Sequence, residues 1–235
     1  MTTVADVEIR SAAGTDVEAA LEVWRAAKAA DGARPPAART AQVRDELSAA
    51  QALLVVAADG EDVVGMALGV PGVAEDGATE PDLLHVSMLV VHPAARRQGV
   101  GSALAEGLAD AAYPRGARRL AAWARTAAAE AFYAACGLEP TGEEQVSADG
   151  TREVQYAAEL DPPMRELAVR ERGLRLGQLL KLAGLVDTGA QGKALLEAGG
   201  VQVNGEVELR RGRQLDDGDV VVAREQAVQV VLPPE

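Results

Sequence analysis

Leu89-Val90-Val91-His92-Pro93-Ala94-Ala95-Arg96-Arg97-Gln98-Gly99-Val100-Gly101-Ser102-Ala103-Leu104 decides how this chain is read. An apolar, strand-like run meets a basic turn, then two glycines, then an Ala/Leu-rich segment of helical character. That order builds an anion site from backbone. Glycines let a ligand approach the main chain, and the first N–H groups of a helix point outward unpaired. The helix dipole favours an anion there, and Arg96 and Arg97 add formal charge, so a pyrophosphate-bearing ligand is expected. A P-loop requires Gly-x-x-x-x-Gly-Lys-Ser/Thr, and no lysine follows these glycines. A dinucleotide fingerprint requires a third small residue after Gly99-Val100-Gly101, where Leu104 stands, and no βαβ unit frames it. What remains is an Arg/Gln-x-x-Gly-x-Gly/Ala loop behind a strand, with an ordinary strand-to-helix turn as the alternative.

Working outward, Val7-Glu8-Ile9-Arg10 alternates as a strand. Thr15-Asp16-Val17-Glu18 has the layout of a capping box with Thr15 as N-cap, and the helix it starts places Val17, Leu21 and Trp24 on one face. Pro35-Pro36 separates a second helix near 41–50. Strands over 52–58 and 62–68 are joined by the turn signal Asp59-Gly60. Residues 71–82 are acidic and non-periodic, expected as a surface loop, whereas 83–91 is too apolar for an edge strand and is expected to be central. Beyond the glycines, Leu104 and Leu108 mark a buried helical stripe. A strand over 118–124, a short helix over 127–136 closed by Gly137, and two strands flanking Ala148-Asp149-Gly150 follow.

This order of elements, with Arg96–Gly101 at its place, resembles the GNAT superfamily of N-acetyltransferases over residues 1–160. The fold class so implied is α/β, a mixed central sheet with flanking helices. Ala129-x-x-x-Tyr133-x-x-x-Gly137-Leu138 is similar to the family's downstream segment, although Thr126 stands where an Asn is frequent. The resemblance implies acetyl-CoA as co-substrate and acetyl transfer to a primary amine. It places Leu89, Val90 and Val91 beside the pantetheine arm, and makes Arg96, Arg97, Gln98, Gly99, Val100, Gly101, Ser102 and Thr126 cofactor contacts. It also implies a bulge in the central strand whose free N–H meets the thioester oxygen, which is oxyanion-hole chemistry. Tyr133 becomes the candidate general acid. His85, on the central strand just before that bulge, is the candidate base because its natural pKa lies near neutrality. Glu80 and Asp82 are the alternatives, acting through water. His92, at a turn before Pro93, is read as structural, and Cys136 as a small buried residue.

Asp161-Pro162-Pro163 breaks the periodicity, and 161–169 is expected to be a linker. The charge balance changes there. Residues 1–161 carry 25 acids against 13 bases, whereas 162–235 carry 11 against 10. In the expected second domain, 170–235, Leu176, Leu179, Leu180 and Ala183 follow helical spacing. Thr188 is placed to cap a second helix that ends at Gly199-Gly200, and Asn204-Gly205 signals a type I′ hairpin. Arg175–Lys181, Lys193–Leu196 and Gly200–Gly205 together resemble the S-four-type RNA-binding domain, a small α+β unit of two helices and a small sheet. Arg175, Lys181, Lys193, Arg210, Arg211 and Arg213 are the implied phosphate contacts for structured RNA or the ribosome. Glu206, Glu208, Asp216 and Asp217 sit among them, and a protein-docking or homodimerising module is the alternative.

The 235 residues are 48% hydrophobic but only 3% aromatic, so cores built from aliphatic side chains are expected. The net charge of −13 argues against nonspecific binding to nucleic acid or to an anionic membrane. One cysteine excludes an internal disulfide framework and any cysteine-rich metal site, which points to a reducing, cytoplasmic compartment. No apolar run reaches membrane-spanning length. The acceptor amine is unidentified. The acidic stretch with Glu75, Asp76, Glu80 and Asp82 would attract a cation such as a polyamine, an aminoglycoside-like compound or a protein N-terminus.

Overall fold

The computed structural model describes residues 7–74, 77–147, 149–169, 173–224 and 226–233. The chain divides into two compact units, 1–161 and 162–235. The first unit runs β1 (Val7–Ser11), α1 (Asp16–Ala30), α2 (Ala37–Leu47), β2 (Leu53–Asp59), β3 (Asp62–Val73), β4 (Thr79–Val91), α3 (Val100–Ala112), β5 (Arg119–Ala124), α4 (Ala127–Ala135), β6 (Glu139–Val146) and β7 (Arg152–Glu159). Its seven strands lie in the order β1-β2-β3-β4-β5-β7-β6. Every pairing is antiparallel except β4 with β5. A parallel pair cannot be closed by a tight turn, and α3 supplies the required crossover.

Helices cover both faces of the sheet, so β2 is apolar at consecutive positions rather than alternate ones. Leu53, Val55 and Ala57 pack with Leu104, Leu108 and Tyr156 on the α3 side. Leu54 and Val56 pack with Leu21, Trp24, Val43 and Leu47 on the α1–α2 side. The register between β3 and β4 shifts twice: near the strand end from Pro71↔Leu84 to Gly72↔Glu80, and in the middle of the sheet from Leu68↔Met88 to Gly69↔Val86, which leaves Ser87 as the extra residue of a bulge. The bulge inverts the side-chain phase of β4. Leu84 and Val86 face the α3 core before it, and Leu89 and Val91 face that core after it. Pairing of β4 with β5 ends at Val86↔Ala122, although both strands continue.

Three expectations are corrected in this unit. Thr15 precedes α1, but its side chain makes no cap bond. The Asp16 carboxylate instead ties down the chain ahead of the helix, accepting from the Ala13 N–H at 2.7 Å and from Arg10 at 2.6 and 3.0 Å, while Glu18 turns away to Arg44. The second helix starts four residues before the expected position because Pro36, with its fixed φ, serves as its N-cap. Most of the expected acidic loop is strand, since β3 extends to Val73 and β4 begins at Thr79. Glu75 and Asp76 lie outside the described residues.

The second unit holds β8 (Met164–Ala168), α5 (Leu176–Leu182), α6 (Gly189–Glu197), β9 (Val201–Val203), β10 (Glu206–Val207), β11 (Val220–Ala223) and β12 (Gln226–Val231), with sheet order β10-β9-β11-β12-β8. The expected linker is therefore corrected as well, because Met164–Ala168 pairs in parallel with β12. Leu176, Leu179 and Leu180 of α5 and Leu196 of α6 pack on Val201, Val203, Val221, Val228 and Val230. The Thr188 hydroxyl accepts from the Gln191 N–H, and the Gln191 side chain reaches back, completing the capping box there. Asn204 and Gly205 both take the positive φ of a type I′ turn. No helix among the described residues is long and apolar enough to cross a membrane.

Substitution separates the Asp16 network from the expected cap Thr15. Asp16→Ala orphans the Ala13 N–H and the Arg10 guanidinium, and should lower stability in urea by about 1–3 kcal/mol. Thr15→Ala should stay within about 0.5 kcal/mol of the parent. Arg10 holds the Asp16 carboxyl below its ordinary pKa. The Asp16 contribution is thus present at neutral pH and lost as pH falls through that depressed value.

Candidate functional site

Beyond Val86↔Ala122 the two parallel strands diverge, and a cleft of about 810 Å³ opens where they part. Leu89, Val90 and Val91 form one wall. Thr126, Ala128, Ala129, Phe132 and Tyr133 at α4 form the other, and Arg96, Arg97, Gly99, Gly101 and Ser102 line the mouth. The glycine loop has the geometry of an anion cradle. Arg97 (φ 62°) and Gly99 (φ 83°) are left-handed. Such backbone turns N–H groups to one side, just ahead of the α3 N-terminus. A non-glycine residue adopts this conformation only when its surroundings impose it. A Cβ on Gly101 would stand 3.2 Å from the Phe132 ring, so a side chain there would fill the cleft.

Two members of the expected set do not line the cleft. Val100 is buried in the α3 core, and the Gln98 side chain donates to the Ala94 carbonyl at 3.0 Å, closing the loop on itself. Arg96 donates to the Val91 carbonyl and to Asp31 of α1, each at 3.4 Å. Thr126 lines the cleft while its hydroxyl caps α4 at the Ala129 N–H. The α1 wall of Trp24, Ala27, Lys28 and Asp31 was not expected. Its signal is helical spacing, because these positions continue the stripe that begins at Leu21.

Tyr133 is half-buried, edge-on to Phe132 at 5.4 Å and tilted against Tyr156 at 6.4 Å. Burial lifts its pKa above the ordinary phenol value, so the hydroxyl keeps its proton at neutral pH. Burial raises Cys136 too, leaving it a thiol 4.0 Å from the Ser102 hydroxyl. His92 accepts from the Ala94 N–H and stabilises the turn before the loop.

His85 is not among the residues lining the cleft; it precedes the bulge, paired with Val70 and Ala121. Burial pushes its pKa below the ordinary imidazole value, opposed by a hydrogen bond with the Ala121 backbone and by the charge of Glu153. The imidazole is therefore neutral near pH 7. Glu80 and Asp82 do not fit the alternative base role, because Arg119 binds them at 2.6 and 3.1 Å where β4 and β5 are still paired.

In the second unit, the 210–213 loop is stitched to the start of α5. The Leu176 N–H donates to Arg213, the Gly177 N–H donates to Arg211, and Arg175 bridges Gln214. Arg175, Arg210, Arg211 and Arg213 thereby converge. The Arg211 side chain lies against Gly177 and Gly189, where a Cβ would meet it at 2.5 and 3.2 Å. Arg210 and Arg213 grip Glu208 at 2.7 and 3.2 Å, which holds that buried carboxyl far below its usual range. Lys181 and Lys193 are exposed on their helices, the latter 3.6 Å from Glu197.

A model of the acetyltransferase (GNAT) family matches residues 18–138, and an S4 domain model matches 167–231. The ribosomal-protein-S18-alanine N-acetyltransferase of Escherichia coli superposes with TM-score 0.51 at 23% identity, over 66% of this chain and 94% of that one. YncA of Salmonella typhimurium, solved with its cofactor acetyl-CoA, gives TM-score 0.51 at 23% identity over 67% and 96%. At these identities the likeness is one of fold. A tyrosine–tRNA ligase of Nitrosomonas europaea is 36% identical over 64 residues, 27% of this chain and only 16% of that relative. The Bacillus subtilis protein described as a probable ribosome maturation protein, RlbA, is 48% identical over 48 residues, 20% of this chain and 68% of its own length.

Ultraviolet titration tests the state of Tyr133. The difference between the parent and Tyr133→Phe should show a phenol with a midpoint above that of free tyrosine. A midpoint at or below the free value would contradict the burial described.

Proposed function

The chain belongs to the acetyltransferase (GNAT) family, and from that premise we propose an acetyl-CoA-dependent N-acetyltransferase that acts on a primary amine and carries an RNA-binding module. The observation that supports it most directly is the divergence of β4 from β5 onto the left-handed glycine loop. The cleft fits a long, thin coenzyme: apolar walls suit a pantetheine arm, and the cradle with Arg96 and Arg97 suits its pyrophosphate. Bound acetyl-CoA supplies an activated acetyl thioester.

The roles of the protein's own groups follow from placement. Backbone N–H groups between Gln98 and Ser102 hold phosphate oxygens. Main-chain groups of β4 beyond Ser87, released from β5, line the arm and offer an N–H to the oxygen on which charge develops. His85 takes the proton of the incoming ammonium, directly or through water. Tyr133 keeps a proton ready for the departing sulfur. Lys28 joins Arg96 and Arg97 as a cation near the anionic end of the cleft. A cytoplasmic setting agrees with a single cysteine that remains a thiol.

The S4 domain match and the Arg175–Arg211 cluster support binding of structured RNA, with Lys181 and Lys193 as further phosphate contacts. Arg210 and Arg213 contribute less, because Glu208 neutralises part of their charge. The tail then carries the enzyme to ribosomal or other RNA-associated acceptors.

Two measurements check these roles. Tyr133→Phe should lower kcat for acetyl transfer by about 10²-fold or more while acetyl-CoA affinity stays nearly constant. A large loss of acetyl-CoA affinity instead would make Tyr133 a binding residue. Arg175→Glu with Arg211→Glu should weaken structured-RNA binding and flatten its log–log salt slope by about 2. If the parent retards no RNA even at low salt, and removal of 162–235 turns a dimer into a monomer, the tail is a dimerisation module.

A further inference from the structure

We infer that Trp24 reads the coenzyme: its indole N–H donates to an amide carbonyl of the pantetheine arm, so the α1 wall recognises the donor by its arm. This rests on the acetyltransferase reading and adds a binding residue on a wall that the glycine loop does not supply.

Helix geometry sets the depth of Trp24. Trp24, Ala27, Lys28 and Asp31 line the cleft at i, i+3, i+4 and i+7, one stripe of α1. Asp31 ends the helix 3.4 Å from Arg96, so the C-terminal end of the stripe lies at the mouth, beside the phosphate cradle. Seven residues of helical rise put Trp24 about 10 Å farther in. There it belongs to the cluster against which Met88 and Val90 pack, on β4 beyond the bulge. Ala20 and Leu21, one turn earlier, are fully buried and do not line the cleft, so Trp24 is the innermost residue of this wall.

The state of the indole points to a ligand. Trp24 is only 4% exposed, and its N–H has no hydrogen-bond partner among the described residues. Yet no polar side-chain atom among those residues is both sealed from solvent and unpaired. The N–H therefore opens onto the cleft, the space that Trp24 lines. An indole only donates, so its partner must be an acceptor. Hydrocarbon laid over it would orphan the N–H, whereas an amide carbonyl satisfies it. At this depth an extended pantetheine arm presents an amide, between its phosphates and its sulfur. The indole thus adds a side-chain donor to the main-chain groups of β4 that flank the same arm.

The test is calorimetric binding of two probes to the full-length protein: coenzyme A, and adenosine 3′,5′-bisphosphate, which lacks the arm. Trp24→Phe keeps an aromatic ring and removes the N–H. It should weaken coenzyme A about fivefold to tenfold and leave the bisphosphate within about twofold of the parent. Fluorescence keeps the test valid if that variant folds poorly. The chain has two tryptophans, so Trp123→Phe leaves Trp24 as the only indole. Its emission should shift with coenzyme A and not with the bisphosphate. Equal weakening of both probes, or unchanged affinity for coenzyme A, overturns the contact. So does faster turnover of longer acyl-CoA donors by Trp24→Phe with coenzyme A affinity intact, which would place the indole at the acyl end. A parent that binds neither probe overturns the acetyl-CoA reading and this contact with it.

Discussion

One surplus residue in β4 organises the first unit. Upstream of Ser87 the strand must bury Leu84 and Val86 against α3 and pair with β5; downstream it must bury Leu89 and Val91 against the same helix while leaving β5. A regular strand cannot do both, because a period of two fixes every side chain's face once the register is set. The bulge inverts the phase and bends the strand, and the space it opens is the cleft. Glycine makes room for the distortion on the neighbouring strand. A Cβ at Gly69, beside the bulge, would stand 2.4 Å from a Leu84 methyl, and one at Gly72, at the second register shift, would stand 2.5 Å from a Leu83 methyl. The functional opening is thus a defect in pairing that packing on both faces holds in place.

The same reasoning explains what was legible in the sequence. The loop Arg96–Ser102 could be read because glycine at a left-handed position and basic residues before a helix have few other uses. The long elements could be read because their apolar periods are clear. The bulge could not be located from the residues, since 83–91 is apolar almost throughout and shows no polar phase to invert. Its presence came only through family resemblance. The capping box expected at Thr15 misled because Asp16 and Glu18 are engaged by Arg10 and Arg44, partners whose proximity is tertiary. Strand β8 was missed for a related reason: its parallel pairing with β12 is long-range, and proline beside 164–168 suggested an extended linker.

Electrostatics in the second unit carries a similar lesson. Counted along the chain, Arg210, Arg211 and Arg213 are three equivalent cations. In the fold, Glu208 is buried and fastens two of them, so Arg211 and the neighbouring Arg175 are left as the outward charges at the α5 N-terminus. A buried carboxylate of this kind serves to shape the loop. It lowers the net positive potential of the face, which makes binding more dependent on where phosphates sit than on bulk attraction. That distinction suits a chain whose overall charge would otherwise repel RNA.

The proposed donor site and the opposite face of the sheet are built from different materials. The donor site is mainly backbone: left-handed turns, a helix N-terminus and the unpaired edge of β4. Such a site asks for glycine at few positions and leaves most side chains free, so the fold persists in solved structures only 23% identical to this chain. The face of β5 and β7 turned from α3 is side chain: Trp123, Gln155, the Arg125-paired Glu153 and, on the neighbouring strand, His85. Each can be replaced without disturbing the sheet, because β5 and β7 keep their α3-facing residues independently of the opposite face. Side chains on this face can therefore vary while the backbone of the glycine loop stays fixed.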